Sequence, residues 1–120
     1  EWVVSSIKKD LYTRQAIVNY NQIKHKYKNN KDFPCTLSQQ FRVINRNGIN
    51  ELDSTVWMRS NDFIYGFPYD IVFFTLVQKE LSELLKIKIG EYNHIVSSMH
   101  CYINFKNHYK ILTKVAYAYE

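Results

Sequence analysis

The sequence predicts an α/β or α+β fold, in which a sheet is built around one long, buried helix. Nine apolar residues between Ile71 and Leu85 indicate this helix, and its first half is apolar almost all round, as in a helix buried on most sides. Asn47 and Gly48 separate two strand-like stretches, which indicates a hairpin. With 120 residues, 46% of them hydrophobic, and three glycines, the chain has the composition of one packed domain.

The first part of the chain predicts a helix, a strand and a loop. Glu1–Asp10 has apolar residues three and four apart and ends near two lysines, as in a helix with cations at its C-terminus. Thr13–Asn21 is rich in alternating β-branched residues and is typical of a strand. Gln22–Asp32 is polar and lysine-rich, which favours a solvated loop; contact with an anionic cofactor tail is the alternative.

The middle of the chain predicts the hairpin and then the long helix. Residues 33–35 lead into a strand that passes through Gln40, Phe41, Val43 and Ile44. Residues 46–48 form the turn, and the return strand extends from about Ile49 to Met58. The helix is expected to begin near Asp70. In its second half four polar side chains should point outward: Gln78, Lys79, Glu80 and Glu83.

The last part of the chain predicts a strand over Tyr92–Ile103 and a final helix over Phe105–Tyr119. The elements then follow the order α-β-β-β-α-β-α, without internal repeats. We therefore interpret residues 1–120 as a single domain.

Charge and cysteine usage limit the class of protein. The net charge of +5 favours anionic partners, although a lysine-rich solvated surface explains it equally well. Without a dense basic stripe among aromatic residues or an apolar run of about 20 residues, we expect no nucleic-acid or membrane partner. Cys35 and Cys101 could form a disulfide, but without a secretory signal we favour a reduced pair in a cytoplasmic protein. His25, His94 and His108 are too scattered to predict a metal site.

The stretch from Trp57 to Asp70 carries the strongest indication of function. Arg59 offers a planar fork of donors and Ser60 a hydroxyl, a combination suited to a phosphate. Asp70, at the start of the long helix, can bind a planar edge that carries donors and acceptors. A ligand with one anionic end and one planar polar end suggests a nucleotide.

Four stretches resemble the thymidylate synthases and the related deoxycytidylate hydroxymethylases. They occur in the order found in that family and together cover roughly residues 10–105. The resemblance implies a thymidylate-synthase-like mixed sheet and a homodimer that forms through the face of the sheet. The matching stretches are Thr13–Ile17, Pro34–Thr36 with Gln40–Phe41, Arg59–Asp62 with Gly66–Asp70, and Met99–Tyr102.

The resemblance makes Cys35 the expected nucleophile. In the family, the cysteine after this proline attacks C6 of a pyrimidine, and C5 then attacks the methylene group of 5,10-methylenetetrahydrofolate. Such a cysteine reacts as thiolate, which a guanidinium stabilises, and Arg59 is adjacent if the hairpin turn sets the register. Taken alone, a cysteine after a proline is more typical of a small buried residue.

The resemblance also implies the residues that hold the phosphate. Arg59 and Ser60 match positions that bind the 5′-phosphate. Arg14 matches an arginine that reaches the phosphate of the partner subunit, and taken alone it would be a surface arginine. The next position is often a second such arginine, and here it is Gln15.

Three further residues match ribose and base contacts of the family. His100 and Tyr102 alternate on one predicted strand and so share a face, with Cys101 on the other. The resemblance implies that this pair bonds the ribose 3′-hydroxyl. Asp62 matches a residue near the base and the folate, a role compatible with closing a turn through its carboxylate.

Asp70 points to a cytidine nucleotide. Uracil-specific members of the family carry asparagine here and cytosine-specific members aspartate. A carboxyl accepts from the N4 amino group of cytosine and, when protonated, donates to N3. We favour dCMP, then CMP; the alternative is that Asp70 is a helix N-cap and that the substrate is dUMP. Thr36, where thymidylate synthases commonly carry histidine, also weakens the uracil assignment.

The family's enzymes are longer than this chain, and their N-terminal and C-terminal segments have no counterpart here. We therefore expect residues 1–120 to be an incomplete catalytic domain, inactive alone and completed by another segment or subunit. The expected activity is folate-dependent methylation or hydroxymethylation at C5 of a pyrimidine nucleoside monophosphate. A non-catalytic nucleotide-binding or assembly protein is the alternative of another class, and Cys35 argues against it because binding needs no thiol.

Overall fold

The structure is a computed structural model and describes residues 1–102. The predicted helix Phe105–Tyr119 and the end of the predicted strand at Ile103 lie outside the described residues. The elements are α1 (Trp2–Lys9), β1 (Ile17–Asn19), a short 3₁₀ helix (Ile23–His25), β2 (Thr36–Arg46), β3 (Ile49–Met58), β4 (Asn61–Asp62), α2 (Phe67–Leu85), β5 (Lys88–Val96) and β6 (Met99–His100).

The main sheet has four strands in the order β1-β2-β3-β5. The β1–β2 and β2–β3 pairs are antiparallel, whereas β3 and β5 are parallel. A parallel pair needs a crossover connection, and α2 supplies it. The predicted mixed sheet with a long helix is therefore confirmed.

The parallel pair determines where the chain can build a site. Because β3 and β5 run in the same direction, both strands end at the same edge of the sheet. The two short strands that follow them, β4 and β6, pair with each other at that edge, with Asn61 opposite Met99 and Asp62 opposite His100. Residues almost 40 positions apart are thus brought side by side.

The predicted hairpin turn is confirmed. Arg46 pairs with Ile49 across a two-residue loop, in which Asn47 has φ 53° and Gly48 has φ 84°. Both values lie in the left-handed region, which asparagine and glycine tolerate best. The turn therefore establishes the register that sets β2 against β3 along its whole length.

We expect Gly48→Ala to lower the free energy of unfolding by about 1 kcal/mol, because alanine is strained at positive φ. A Cβ built at Gly48 meets no atom within 4 Å, so the loss should come from the backbone alone. Urea denaturation measures it, with Gly48→Asn as the matched control because asparagine tolerates this conformation. Equal destabilisation by both variants would contradict this explanation.

Two predicted strands have other bounds in the structure. The predicted strand Thr13–Asn21 is confined to Ile17–Asn19, because Gln15 donates its backbone N–H to Thr13 Oγ1 and accepts from the Ile17 N–H in a turn-like arrangement. The strand predicted from Tyr92 begins earlier, at Lys88, and is interrupted before β6.

Both helices contribute to a core on one face of the sheet. Alternate residues of the hairpin strands point to this face, as expected for half-buried strands. The buried apolar residues are Val3, Ile7, Ala16, Phe41, Val43, Leu52, Val56, Met58 and Phe74.

Helix α2 begins earlier than predicted. It starts at Phe67, with Gly66 as N-cap and Pro68 in the first turn, where the missing proline N–H is no disadvantage. Asp70 therefore lies inside the first turn and donates its backbone N–H to Gly66 O at 2.9 Å. The alternative interpretation of Asp70 as the N-cap is wrong.

The prediction that the first half of α2 is buried on most sides is also wrong for this chain. Phe74 is buried against the sheet, but Val72, Phe73 and Leu76 are each more than half exposed. An apolar residue is buried only where another element covers it, and the sheet covers one face of this helix.

Gln78 was expected to point outward and is instead buried. Its Nε2 donates to Leu52 O at 2.8 Å and to Glu91 O at 3.1 Å, so the amide joins β3 to β5. The register of this parallel pair shifts between Leu52 and Ser54. The side chain thus hydrogen-bonds carbonyls next to an irregular part of the ladder.

We expect Gln78→Leu to lower the free energy of unfolding by about 2 kcal/mol, because buried carbonyls lose their donor. The side chains of glutamine and leucine have similar volumes, so the packing around position 78 should change little. Glu80→Leu on the exposed side of the same helix is the control and should change stability by less than about 0.5 kcal/mol. Chemical denaturation that gives equal stabilities for both variants would contradict a structural role for the amide.

Candidate functional site

A cleft of about 460 Å³ lies at the edge of the sheet where β3 and β5 end. Every residue singled out from the sequence as a site candidate, except Arg14, lines it. The lining residues are Cys35, Thr36, Met58, Arg59, Ser60, Asn61, Asp62, Tyr65, Gly66, Asp70, His100 and Tyr102.

Cys35 is exposed and immediately precedes β2. Its carbonyl accepts the backbone N–H of Arg59 at 2.9 Å, which continues the pairing of β2 with β3 beyond Thr36 and Met58. Cys35 and Arg59 are therefore neighbours across the hairpin, as the predicted register requires. The expectation of a small buried cysteine does not hold.

The side chain of Arg59 holds the segment that precedes Cys35. Nε donates to Pro34 O at 3.0 Å and Nη2 donates to Phe33 O at 2.7 Å. The guanidinium carbon also lies 5.3 Å from the centroid of the Phe33 ring, within cation–π range. These contacts orient the guanidinium of Arg59 at the cleft. The two hydrogen bonds use Nε and Nη2, and neither uses Nη1.

Ser60, His100 and Tyr102 contact one another in the lining of the cleft. Ser60 Oγ is 3.3 Å from His100 Nδ1, and the rings of His100 and Tyr102 meet edge to face at 5.1 Å between centroids. The predicted shared face of His100 and Tyr102 agrees with this contact. Cys101 is partly buried and is not among the residues that line the cleft.

Asp62 closes the turn that follows β4. Its Oδ1 accepts the backbone N–H groups of Tyr65 and Ile64. These hydrogen bonds, that from Tyr65 first, lower the pKa of Asp62, and the Tyr102 backbone N–H contributes in the same direction. Oδ2 is buried without a hydrogen bond of ordinary geometry from the described residues. The carboxylate therefore closes the turn at the edge of the cleft.

Asp70 contributes a carboxyl from the first turn of α2. Because its backbone is already part of the helix, this side chain makes no capping hydrogen bond. Burial raises the pKa of Asp70, while a hydrogen bond with Asn61 and the charge of His94 act in the opposite direction. Partial burial therefore favours the protonated carboxyl more than exposure to water would.

The sequence interpretation missed three polar residues next to Asp70. Asn61 is buried, with its Nδ2 at 3.2 Å from His94 Nε2 and 3.3 Å from Met58 Sδ. Tyr92 Oη lies 2.7 Å from His94 Nδ1. Alternation could have indicated the pair, because Tyr92 and His94 are two residues apart on one strand and so share its face.

Arg14 does not line this cleft. It is exposed in the segment before β1, and its carbonyl accepts a hydrogen bond from Gln40 Nε2 at 2.9 Å. Gln15, the next residue, is also exposed.

Neither helix of the described residues combines the length and apolar composition that crossing a bilayer requires. Within residues 1–102, no three His, Cys, Asp or Glu side chains lie close enough to hold a metal ion.

Comparisons with known proteins agree on one family. The family model described as thymidylate synthase matches residues 1–117. The thymidylate synthase of Malacoplasma penetrans is 30% identical over 105 residues, which are 85% of this chain and 34% of that protein. The bifunctional dihydrofolate reductase-thymidylate synthase of Paramecium tetraurelia is 31% identical over 81 residues, 68% of this chain and 16% of that protein. The chain thus spans about a third or less of the length of these curated relatives.

The solved structure of thermostable thymidylate synthase A from Bacillus subtilis has the same fold. It superposes with a TM-score of 0.73 over 92% of this chain and 38% of its own, at 22% sequence identity.

Proposed function

The chain belongs to the thymidylate synthase family, and on that premise we propose that it forms the nucleotide-binding part of an enzyme that transfers a one-carbon unit to C5 of a pyrimidine nucleoside monophosphate. One observation carries the proposal: exposed Cys35 lines the same cleft as Arg59 and Asp70. A thiol, a guanidinium and a partly buried carboxyl can attack the ring, bind the phosphate and bind the edge of the base.

The phosphate is assigned to Arg59 and Ser60. A guanidinium held by two carbonyls in a fixed orientation is suited to an oxyanion, and the neighbouring hydroxyl adds a donor. Because the same guanidinium holds Pro34, binding of the phosphate would also keep Cys35 in place. The ribose 3′-hydroxyl is assigned to His100 and Tyr102, which contact each other in the lining of the cleft.

Cys35 is assigned the nucleophilic step. Its thiolate adds to C6 of the base, and the electron pair of the C5=C6 bond moves to C5, which can then form a bond to carbon. Loss of the proton from C5 and departure of the Cys35 thiolate restore the double bond. This step requires Cys35 to react as the thiolate.

The one-carbon donor proposed is 5,10-methylenetetrahydrofolate. When bound, it supplies a methylene group, which becomes methyl with a hydride from tetrahydrofolate or hydroxymethyl with water. Asp62 lines the same cleft, and its carboxylate is the kind of acceptor that suits a ring N–H of the base or of a pterin. This acceptor supports a planar ligand beside the nucleotide.

A cytidine nucleotide, dCMP before CMP, is the favoured substrate. The identity of Gly66 as N-cap removes the capping explanation for Asp70. A partly buried carboxyl with a raised pKa suits cytosine, which offers a donor at N4 and an acceptor at N3. Methylation of dUMP is the alternative, because a protonated carboxyl also bonds the edge of uracil if its two oxygens exchange roles.

A homodimer through the open face of the sheet is part of the proposal. Among the described residues no helix covers the face opposite α1 and α2, where Ile49 and Ile95 are about half exposed. Arg14 would then reach the phosphate held by the partner. Sedimentation of the full-length protein should give the mass of two chains, and a monomer at all concentrations would contradict this arrangement.

Intact-mass spectrometry tests the proposed function. The full-length protein is incubated with 5,10-methylenetetrahydrofolate and either 5-fluoro-dCMP or 5-fluoro-dUMP, which block loss of the group at C5. We expect a covalent adduct, and the fluorinated base that forms it identifies the substrate. If both nucleotides bind but neither forms an adduct, the result favours the alternative of a non-catalytic nucleotide-binding protein.

A further inference from the structure

The segment before Cys35 contains an aromatic residue, Phe33, to which the proposed function gives no role. Its side chain is partly buried and is not among the residues that line the cleft. The ring nevertheless contacts a group that does line it, because the guanidinium carbon of Arg59 lies over the ring at 5.3 Å from the centroid. A cation at this distance from an aromatic face is attracted by the electron density of the ring.

Arg59 is also the hydrogen-bond partner of three successive carbonyls. The Phe33 and Pro34 carbonyls accept from Nη2 at 2.7 Å and from Nε at 3.0 Å, and the Cys35 carbonyl accepts the Arg59 backbone N–H at 2.9 Å. These three residues precede β2 and belong to no strand or helix. One arginine at the end of β3 thus holds an irregular segment in place.

The hydrogen bonds alone leave the guanidinium one way to move. Nε and Nη2 lie on the same edge of the group, and the N–H donors of a guanidinium lie in its plane. A planar group held along one edge can still hinge about that edge. The ring of Phe33, over which the guanidinium carbon lies, limits this hinge motion on one side.

The restriction matters because Arg59 is exposed. An exposed arginine samples many rotamers, and the loss of that freedom when a ligand binds weakens the affinity. A guanidinium that two carbonyls and a ring already hold has lost the freedom before the ligand arrives. Preorganisation of this kind strengthens binding without any new contact to the ligand.

We propose that Phe33 is a positioning residue whose ring holds the Arg59 guanidinium ready for the 5′-phosphate and so makes the cleft selective for nucleotides over unphosphorylated nucleosides. This inference rests on the proposed function, because it assumes that Arg59 binds the phosphate. The role belongs to the ring of Phe33, since its carbonyl is part of the backbone and remains in every variant at position 33.

Calorimetric binding of dCMP and of deoxycytidine to the full-length protein tests the selectivity. The two ligands share the base and the ribose and differ in the phosphate. In Phe33→Leu we expect the ratio of dCMP to deoxycytidine affinity to fall about threefold, the effect of one cation–π contact at an exposed site. An equal loss of affinity for both ligands means that Phe33 only supports the shape of the cleft, and overturns the inference.

Two further variants separate the aromatic face from the bulk of the side chain. Phe33→Tyr keeps the face and should hold the affinity ratio within about twofold of wild type. Phe73→Leu is the matched control, because it removes a ring from the outer side of α2, away from the cleft. A ratio that falls in Phe33→Tyr or in Phe73→Leu as far as in Phe33→Leu overturns the inference.

Nitrogen relaxation of the arginine side chains tests the positioning without any nucleotide. In the ¹⁵N-labelled full-length protein, we expect the Arg59 Nε–H group to be as restricted as the backbone amides of β3. In Phe33→Leu it should become more mobile, because the hinge is no longer limited. An Arg59 group that is equally mobile in the two proteins overturns the inference.

The outcomes separate this inference from the proposed function. If the wild-type protein binds neither dCMP nor dUMP, the proposed function fails, and the inference fails with it. If dCMP binds and Phe33→Leu keeps the wild-type ratio, the inference alone fails. If Phe33→Leu does not fold, pentafluorophenylalanine at position 33 decides, because it keeps the ring and withdraws electron density from its face. A ratio equal to wild type in that protein overturns the inference.

Discussion

Cys35→Ser should abolish the covalent adduct and reduce turnover at least about 10³-fold. A serine hydroxyl is far less acidic than a thiol, so the Arg59 guanidinium next to it cannot make it an anion at neutral pH. Nucleotide affinity should change little, because the residues assigned to the phosphate and the base remain. Intact mass with the fluorinated nucleotide and steady-state kinetics measure the two effects.

The second cysteine offers a matched control. Cys101→Ser makes the same chemical change at a partly buried residue that does not line the cleft. It should keep both the adduct and turnover. If the adduct is lost in Cys101→Ser and survives in Cys35→Ser, the nucleophile is Cys101 and the assignment to Cys35 is wrong.

Asp70→Asn should reverse the base preference. The asparagine amide donates to O4 and accepts from N3–H of uracil, whereas cytosine would meet a donor at N4. Each bidentate contact of this kind discriminates by roughly 1–3 kcal/mol, so the dCMP to dUMP affinity ratio should change by about a hundredfold. Calorimetry with both nucleotides measures the ratio.

A carboxylate on the exposed side of the same helix provides the control for this variant. Glu80→Gln makes the same change of carboxylate to amide away from the cleft, and its affinity ratio should equal that of wild type. The assignment of Asp70 to the base fails if Asp70→Asn behaves like Glu80→Gln.

The way β3 and β5 pair explains how so small a unit can assemble a site. Their parallel course brings the segment after Met58 and the segment after Val96 to one edge, where Asp62 and His100 face each other. The hairpin adds Cys35, the residue before β2, whose carbonyl accepts the Arg59 backbone N–H. Three separate parts of the chain thus contribute to the cleft through backbone pairing, which is more rigid than loop contacts.

The local elements could be predicted where the backbone preference of a few residues decides the structure. Asn47 and Gly48 both adopt positive φ, so the turn and the bounds of β3 followed from the sequence. The spacing of apolar residues likewise predicted α1. These features depend on short-range sterics and on the spacing of apolar residues, and both can be read from the sequence itself.

Burial along α2 could not be predicted, because it depends on what packs against each side. The exposed Phe73 and the buried Gln78 have opposite placements from those their polarity suggests. Gln78 is buried because its amide donates to carbonyls of β3 and β5 where the register of this strand pair shifts, and only the paired sheet reveals that shift.

By itself, the sequence determined which groups the protein can use: a thiol, a guanidinium and a carboxyl in motifs whose order resembles one family. Only the tertiary structure decided their surroundings. Asn61 and His94 lie 33 positions apart, and no local pattern links them, yet their side chains hydrogen-bond at 3.2 Å where Asn61 lines the cleft. The physical reason is that backbone conformation follows from neighbouring residues, whereas hydrogen-bond partners and burial follow from elements that the fold brings together.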